Sequence, residues 1–156
     1  MKIALLWTGQ PRQIEKCCKT YGCLTHSEKH EIDNYYHFWQ DQRYSKQFLD
    51  DLFQAKESLY EQQVDFTDLA SKFGPKFTAN SVSMLYSWQR AASIVDLHSY
   101  DLCIKLRTDL YFRGNIDNIV EALNMNALNP CVVGGKNVKV DPPGIHDLIF
   151  AAKPII

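Results

Sequence analysis

The chain has 156 residues, 46% of them hydrophobic, 22% charged and 12% aromatic, with a formal net charge of −1. That length suits one domain with a sizeable core, and the balanced charge gives no general attraction for nucleic acid or an anionic membrane. No apolar run approaches the ~20 residues of a membrane span.

Residues 2–7, Lys-Ile-Ala-Leu-Leu-Trp, form a continuous apolar run of the kind found in a central strand of a parallel sheet. The run stops at Thr8-Gly9-Gln10-Pro11-Arg12, too early for the apolar region of a signal peptide. The expected compartment is therefore cytoplasmic. Gly9 and Pro11 mark 8–12 as a loop. Its lone glycine fits neither G-x-x-x-x-G-K nor G-x-G-x-x-G. Gly9 would let a ligand approach the backbone, Thr8 and Gln10 can hydrogen-bond a base or ribose, and Arg12 can fork onto phosphate oxygens. The bland alternative is a tight turn with a solvated arginine.

Residues 13–24 suit a helix with Ile14, Cys17 and Cys18 on one face. The aromatic run Tyr35–Trp39 is of strand type, and His37 within it reads as a satisfied buried histidine. Residues 45–54 look helical, 60–66 suit a short strand, and 67–80, with Gly74-Pro75, a loop or short helix. The best helix candidate is 80–98. Asn80 or Ser81 can cap it, and Val82, Leu85, Trp88, Ala91, Ala92, Val95 and Leu97 recur at helical spacing. Ser83, Ser87, Gln89 and Arg90 are expected on its solvent face, and Tyr86 and Trp88 in the core.

The stretch 101–112, Asp-Leu-Cys-Ile-Lys-Leu-Arg-Thr-Asp-Leu-Tyr-Phe, is the most informative. An apolar strand ends abruptly in Arg107, Thr108 and Asp109. Arg107 and Asp109, two positions apart, point to one side of an extended backbone. Charges at the end of a core strand need partners. A phosphate and a divalent metal are one set; the two side chains pairing with each other, as a structural cap, is the other.

A short helix is expected at 116–124, a strand at 131–133 ending in Gly134-Gly135, and a last apolar segment at 145–152 interrupted by His146 and Asp147. Asp147 can act as a general base and His146 can complete a metal site, or the pair can mark a loop-to-strand junction. The five cysteines, at 17, 18, 23, 103 and 131, are odd in number, lack a C-x-x-C pair, and read as free thiols. Strands alternating with helices give an α/β fold, a three-layer α/β/α sandwich with a mostly parallel sheet. In such sheets ligands sit beyond the carboxyl ends of the strands, where 8–12 and 107–109 are both expected.

Thr-Gly-Gln-Pro-Arg after a first strand, followed later by Tyr-Asp-x-x-Ile-Lys-x-Arg-Thr-Asp-Leu-Tyr-Phe, resembles a family of GT-A-type glycosyltransferases from bacterial polysaccharide loci, phages and large DNA viruses. The resemblance implies a single GT-A-like nucleotide-sugar-binding domain over 1–156, minimal or trimmed in length. It implies a nucleotide-sugar donor and a hydroxyl acceptor on a glycan or polysaccharide. Thr8, Gly9, Gln10 and Arg12 would contact the nucleotide. Asp109, with His146, would hold Mn²⁺ or Mg²⁺, and Arg107 would stabilise phosphate charge where such enzymes usually carry the first aspartate of Asp-x-Asp. Asp147 would serve as base. The alternative is a non-catalytic nucleotide- or sugar-binding domain, or a structural one, with the same fold.

Overall fold

The computed structural model describes residues 1–112, 114–125 and 150–152, with side chains as far as Glu121. The elements are β1 (Lys2–Gly9), α1 (Ile14–Cys17), α2 (Gly22–Thr25), β2 (Glu31–Trp39), α3 (Lys46–Phe53), β3 (Ala55–Glu61), α4 (Thr67–Lys72), α5 (Ala79–Ser93), β4 (Leu102–Leu106), α6 (Ile116–Met125) and β5 (Phe150–Ala152). The sheet order is β3-β2-β1-β4-β5. β1 pairs in parallel with both β2 and β4, and β2 with β3. β5 joins the β4 edge antiparallel. This is the expected α/β fold with a mostly parallel sheet.

β1 is central because it is apolar on both faces, and its two faces seed two cores. Ile3, Leu5 and Trp7 pack with Ile14, Tyr21 and Leu24, with Leu49 and Phe53 of α3, and with Ile116 and Val120 of α6. Ala4 and Leu6, on the other face, pack with Ala91 and Val95 of α5 and its exit, and with Tyr35 and Tyr100. Beside them Trp39 packs with Phe66, Ala70 and Val82. Helices thus cover both faces of the sheet. Among the described residues no helix is long and apolar enough to cross a membrane.

Several boundaries differ from the sequence reading. β1 runs on through Thr8 and Gly9, because each still pairs with β2, at His37 and Phe38. The helix expected over 13–24 is broken into α1, a 3-10 turn at Cys18–Thr20 and α2. Here the Thr20 hydroxyl donates to the Cys17 carbonyl (2.8 Å) and the Cys23 thiol to the Thr20 carbonyl (2.7 Å). Such bonds compete with the helical ladder. The strand expected at 60–66 lies instead at Ala55–Glu61. As the edge strand it is largely polar, so its apolar signal is weak.

The long helix starts at Ala79 and ends at Ser93, where a separate 3-10 turn, Leu97–Ser99, takes over. Its cap is Thr78, whose side chain accepts from the Ser81 N–H, rather than Asn80 or Ser81. Its orientation also differs: Ser83 and Ser87 are buried beside Val82 and Ala91, while Leu85 is exposed. The strand expected at 131–133 lies outside the described residues, as do Cys131, His146 and Asp147. The described cysteines, Cys17, Cys18, Cys23 and Cys103, are free thiols.

Candidate functional site

β1 sits between β2, which follows it in sequence, and β4, which comes later. The connections therefore depart to opposite sides at the β1/β4 boundary, the switch point at which open α/β sheets place ligands. The carboxyl ends of these two strands carry the loops 10–13 and 107–109.

The first loop is tightly folded. Gly9 has φ +101°, in a region that favours glycine. Its N–H donates to the Ser87 hydroxyl at 2.8 Å. The Arg12 N–H donates to the Gln10 carbonyl at 2.8 Å. The Gln10 side-chain amide bonds to Gln63, just past β3. Arg12 is exposed, whereas Thr8 is buried within the strand, 4% exposed.

Thr108 joins this loop to the second. Its side chain is 1% exposed, accepts from the Arg12 N–H at 3.1 Å, and lies within donating distance of the Gln10 and Arg12 carbonyls, at 3.2 and 3.1 Å. From below, the Tyr21 hydroxyl donates to the Thr108 carbonyl. Burial pushes that phenol well above its ordinary range, so it stays protonated as a donor. The alternation that turns Thr108 inward turns Arg107 and Asp109 outward. These two make a fork: Nε to Oδ1 at 2.9 Å and Nη2 to Oδ2 at 2.6 Å.

Burial pushes the Asp109 carboxyl up, but the Arg107 hydrogen bonds and charge outweigh it, with help from the Arg12 charge, and hold it below its usual value. Among the described residues, two guanidiniums, Arg107 and Arg12, act on this one ionised carboxylate. Nearby, burial and then the Asp109 charge raise the Cys17 thiol, which disfavours its thiolate and any nucleophilic role.

Of the two expected metal ligands, only Asp109 lies within the described residues. Both Asp109 oxygens are engaged by Arg107, and among the described residues there is no group of three His, Cys, Asp or Glu side chains able to hold an ion. His146 and Asp147 lie outside the described residues.

Of the residues singled out from sequence, Gly9, Gln10, Arg12, Arg107 and Asp109 come together at one end of the sheet. His37 is, as read, a satisfied buried histidine, 0% exposed and bonded at both ring nitrogens. Tyr86 stacks on Trp39 with centroids 5.6 Å apart. Sequence reasoning missed Thr108, Tyr21, Ser87 and Gln63. For Thr108 the signal was present, a polar residue on the inward side of an Arg-x-Asp pair; for the others only the fold supplies it. Beside Gln63 an open cleft is lined by Asp65, Phe66, Asn80 and Ser83. A larger one, lined by residues 25–30 with Asn115 and Asp117, precedes β2 at the opposite, amino end of the sheet and contains none of these groups.

No protein-family model matches the chain, and no curated protein matches it in sequence. Among solved structures, mouse xyloside xylosyltransferase 1 in its apo form is similar, with a TM-score of 0.42 and 16% identity. The match covers 80% of this chain and 49% of that one, so the chain spans about half the length of the structure it matches.

Proposed function

We propose that this chain is a nucleotide-diphospho-sugar-binding domain of GT-A type that serves sugar transfer to a hydroxyl of a glycan or polysaccharide. The observation that carries the reading is the clasp at the switch point. Thr108 fastens the Gln10–Arg12 loop to the Arg107–Asp109 turn, with two arginines beside one carboxylate. The guanidiniums of Arg107 and Arg12 can each hydrogen-bond the oxygens of a diphosphate.

In transfer, negative charge builds on the departing diphosphate. Fixed guanidiniums stabilise it more than they stabilise the bound donor. Arg107 is held by Asp109 in one orientation, so little reorganisation accompanies the charge shift. Arg12, exposed on its loop, closes onto the phosphate from the other side. Asp147 is proposed to take the acceptor's proton. The Mn²⁺ or Mg²⁺ implied by the resemblance, with Asp109 and His146 as ligands, would require Asp109 to leave Arg107, so the charge stabilisation is assigned here to the arginines.

The test is thermal unfolding with UDP-, GDP- and TDP-sugars, and with a CMP-sugar, which has one phosphate, as the contrast, with and without Mn²⁺. A donor at a hundred times its Kd stabilises by about 2.7 kcal/mol, which at this size raises the midpoint by roughly 5–10 °C. Arg107→Ala is expected to weaken binding at least tenfold, because it leaves Asp109 facing the phosphate. A Mn²⁺-dependent shift would return Asp109 to the role of metal ligand. The internal Arg107–Asp109 pair also favours a second, structural reading, under which no donor shifts the midpoint and removing either partner lowers stability.

A further inference from the structure

A chain of hydrogen bonds runs beneath the first loop, on the α5 face of the sheet. Arg90 of α5 forks onto Glu61 of β3, with Nε to Oε2 at 3.2 Å and Nη2 on Oε1. Glu61 Oε2 lies 3.0 Å from His37 Nε2. His37 Nδ1 lies 2.7 Å from the Ser87 hydroxyl, which takes the Gly9 N–H at 2.8 Å. Ser87 and His37 are both 0% exposed. Tyr86 of α5 and Trp39 of β2 enclose the imidazole with their rings, at 6.1 and 4.7 Å.

The direction of every proton in this chain is fixed by its far end. Arg90 holds the Glu61 carboxyl below its usual value, with the His37 bond adding to that, so Glu61 is an anion and only accepts. Burial keeps the imidazole neutral, against the pull of Glu61. His37 Nε2 therefore carries the single ring proton and donates it to Glu61. Nδ1 is left as an acceptor, and the Ser87 O–H donates to it. The competing donation, from Ser87 to the His37 carbonyl, is longer at 3.3 Å. With its proton committed, the Ser87 oxygen presents only lone pairs to the Gly9 N–H. Ser87 has no path to a substrate, so the likeness of Ser-His-Glu to a nucleophilic triad does not extend to chemistry.

We infer that Ser87, oriented by the His37–Glu61–Arg90 chain, is a positioning residue for the ligand loop: it fixes the Gly9 amide, and with it the path of Gln10–Arg12 over the switch point. This rests on the nucleotide-binding reading for its functional consequence, but not for its structural half. Gly9 is where the chain leaves β1 with φ +101°, so its peptide plane decides the direction of the loop.

The test has three parts on the full chain. In the unmodified protein, ¹⁵N shifts of His37 should report the Nε2–H tautomer; the Nδ1–H tautomer would overturn the proposal without any variant. Amide hydrogen exchange is then compared in Ser87→Ala and in Glu61→Gln, which keeps the serine should the first variant fold poorly. Gly9 and Gln10 are expected to exchange at least tenfold faster relative to Leu5 in the first and at least threefold faster in the second. A general loss of stability would instead speed Leu5 alongside Gly9, and that result overturns positioning. Last, calorimetry with UDP and GDP should give about tenfold weaker binding in Ser87→Ala. If the unmodified protein binds neither, and no donor of the thermal screen shifts its midpoint, the nucleotide reading falls while the exchange data still decide the positioning role. If it binds and Ser87→Ala binds equally well, the loop position is not used and the functional half of the inference falls.

Discussion

Thr108 joins the two loops of the candidate site. Its one hydroxyl bridges two segments 96 to 98 positions apart in sequence. Valine has nearly the same shape and no hydroxyl, so Thr108→Val isolates the polar contribution. A buried polar group left without its partner costs about 1–3 kcal/mol. Thr108→Val should lower stability by that amount in urea titrations and weaken nucleotide binding more than tenfold, because the Gln10–Arg12 backbone is no longer tied to the turn that carries Arg107. Unchanged affinity at reduced stability would make Thr108 a structural link only. Arg107 and Asp109 were legible in the sequence as a same-side pair at a strand end. Whether each faced a ligand or the other was not, because alternation sets direction and says nothing of distance.

At the scale of elements, α5 shows where pattern reading breaks down. Apolar residues recur along it at helical spacing, yet the face it buries is centred on Val82, Ser83, Ser87 and Ala91. Ser87 lies inward because the sheet beneath offers it partners, His37 and Gly9. Hydrophobic periodicity cannot register a polar residue buried by pairing. Leu85 was expected inside and is 44% exposed. Leu85→Lys should therefore change stability by no more than about 0.5 kcal/mol, as exposed substitutions do. Thr78→Ala should cost about 1 kcal/mol through loss of the helix cap. Urea midpoints measure both; a loss of several kcal/mol in Leu85→Lys would mean the helix is rotated from the orientation described. The broken helix at 14–25 was missed for a related reason: Thr20 and Cys23 bond to the backbone locally, a choice that periodicity does not encode.

The molecule as a whole carries a two-stage sensitivity to acid. His37 is neutral in the fold because burial lowers its pKa below the ordinary 6.5, despite the Glu61 hydrogen bond. Its contribution is complete above about pH 6.5 and is lost as pH falls from there toward the folded value. The carboxylates act lower. Arg43 holds Asp41 down to about 2 and Arg90 lowers Glu61. At Asp33, Asp50 and Asp109 burial pushes up, but bonded cations and hydroxyls outweigh it. Each folded pKa lies below its unfolded one, so each contribution is present above about pH 4 and fades as pH falls through the folded value. Urea midpoints should decline modestly between pH 7 and 5 and steeply below 4; a midpoint constant from pH 7 to 3 would contradict the linkage. The fold class was readable from alternating strand and helix signals. The strand order was not, because nothing local in β1 declares which partner will take its second edge.

That second edge has a consequence for the newly made chain. β1 emerges first and finds β2 and β3 within the following 60 residues, but β4 begins only at Leu102. At about 5–20 residues per second of synthesis, the central strand waits on the order of 5–20 seconds with one side unpaired and Ile3, Leu5 and Trp7 partly uncovered. An apolar strand with an open edge invites pairing with another chain. The same interval leaves the Gln10–Arg12 loop without its clasp, so no nascent fragment ending before Thr108 holds an assembled site. Burden on chaperones and closure of the Thr108 clasp thus share one event, the docking of β4.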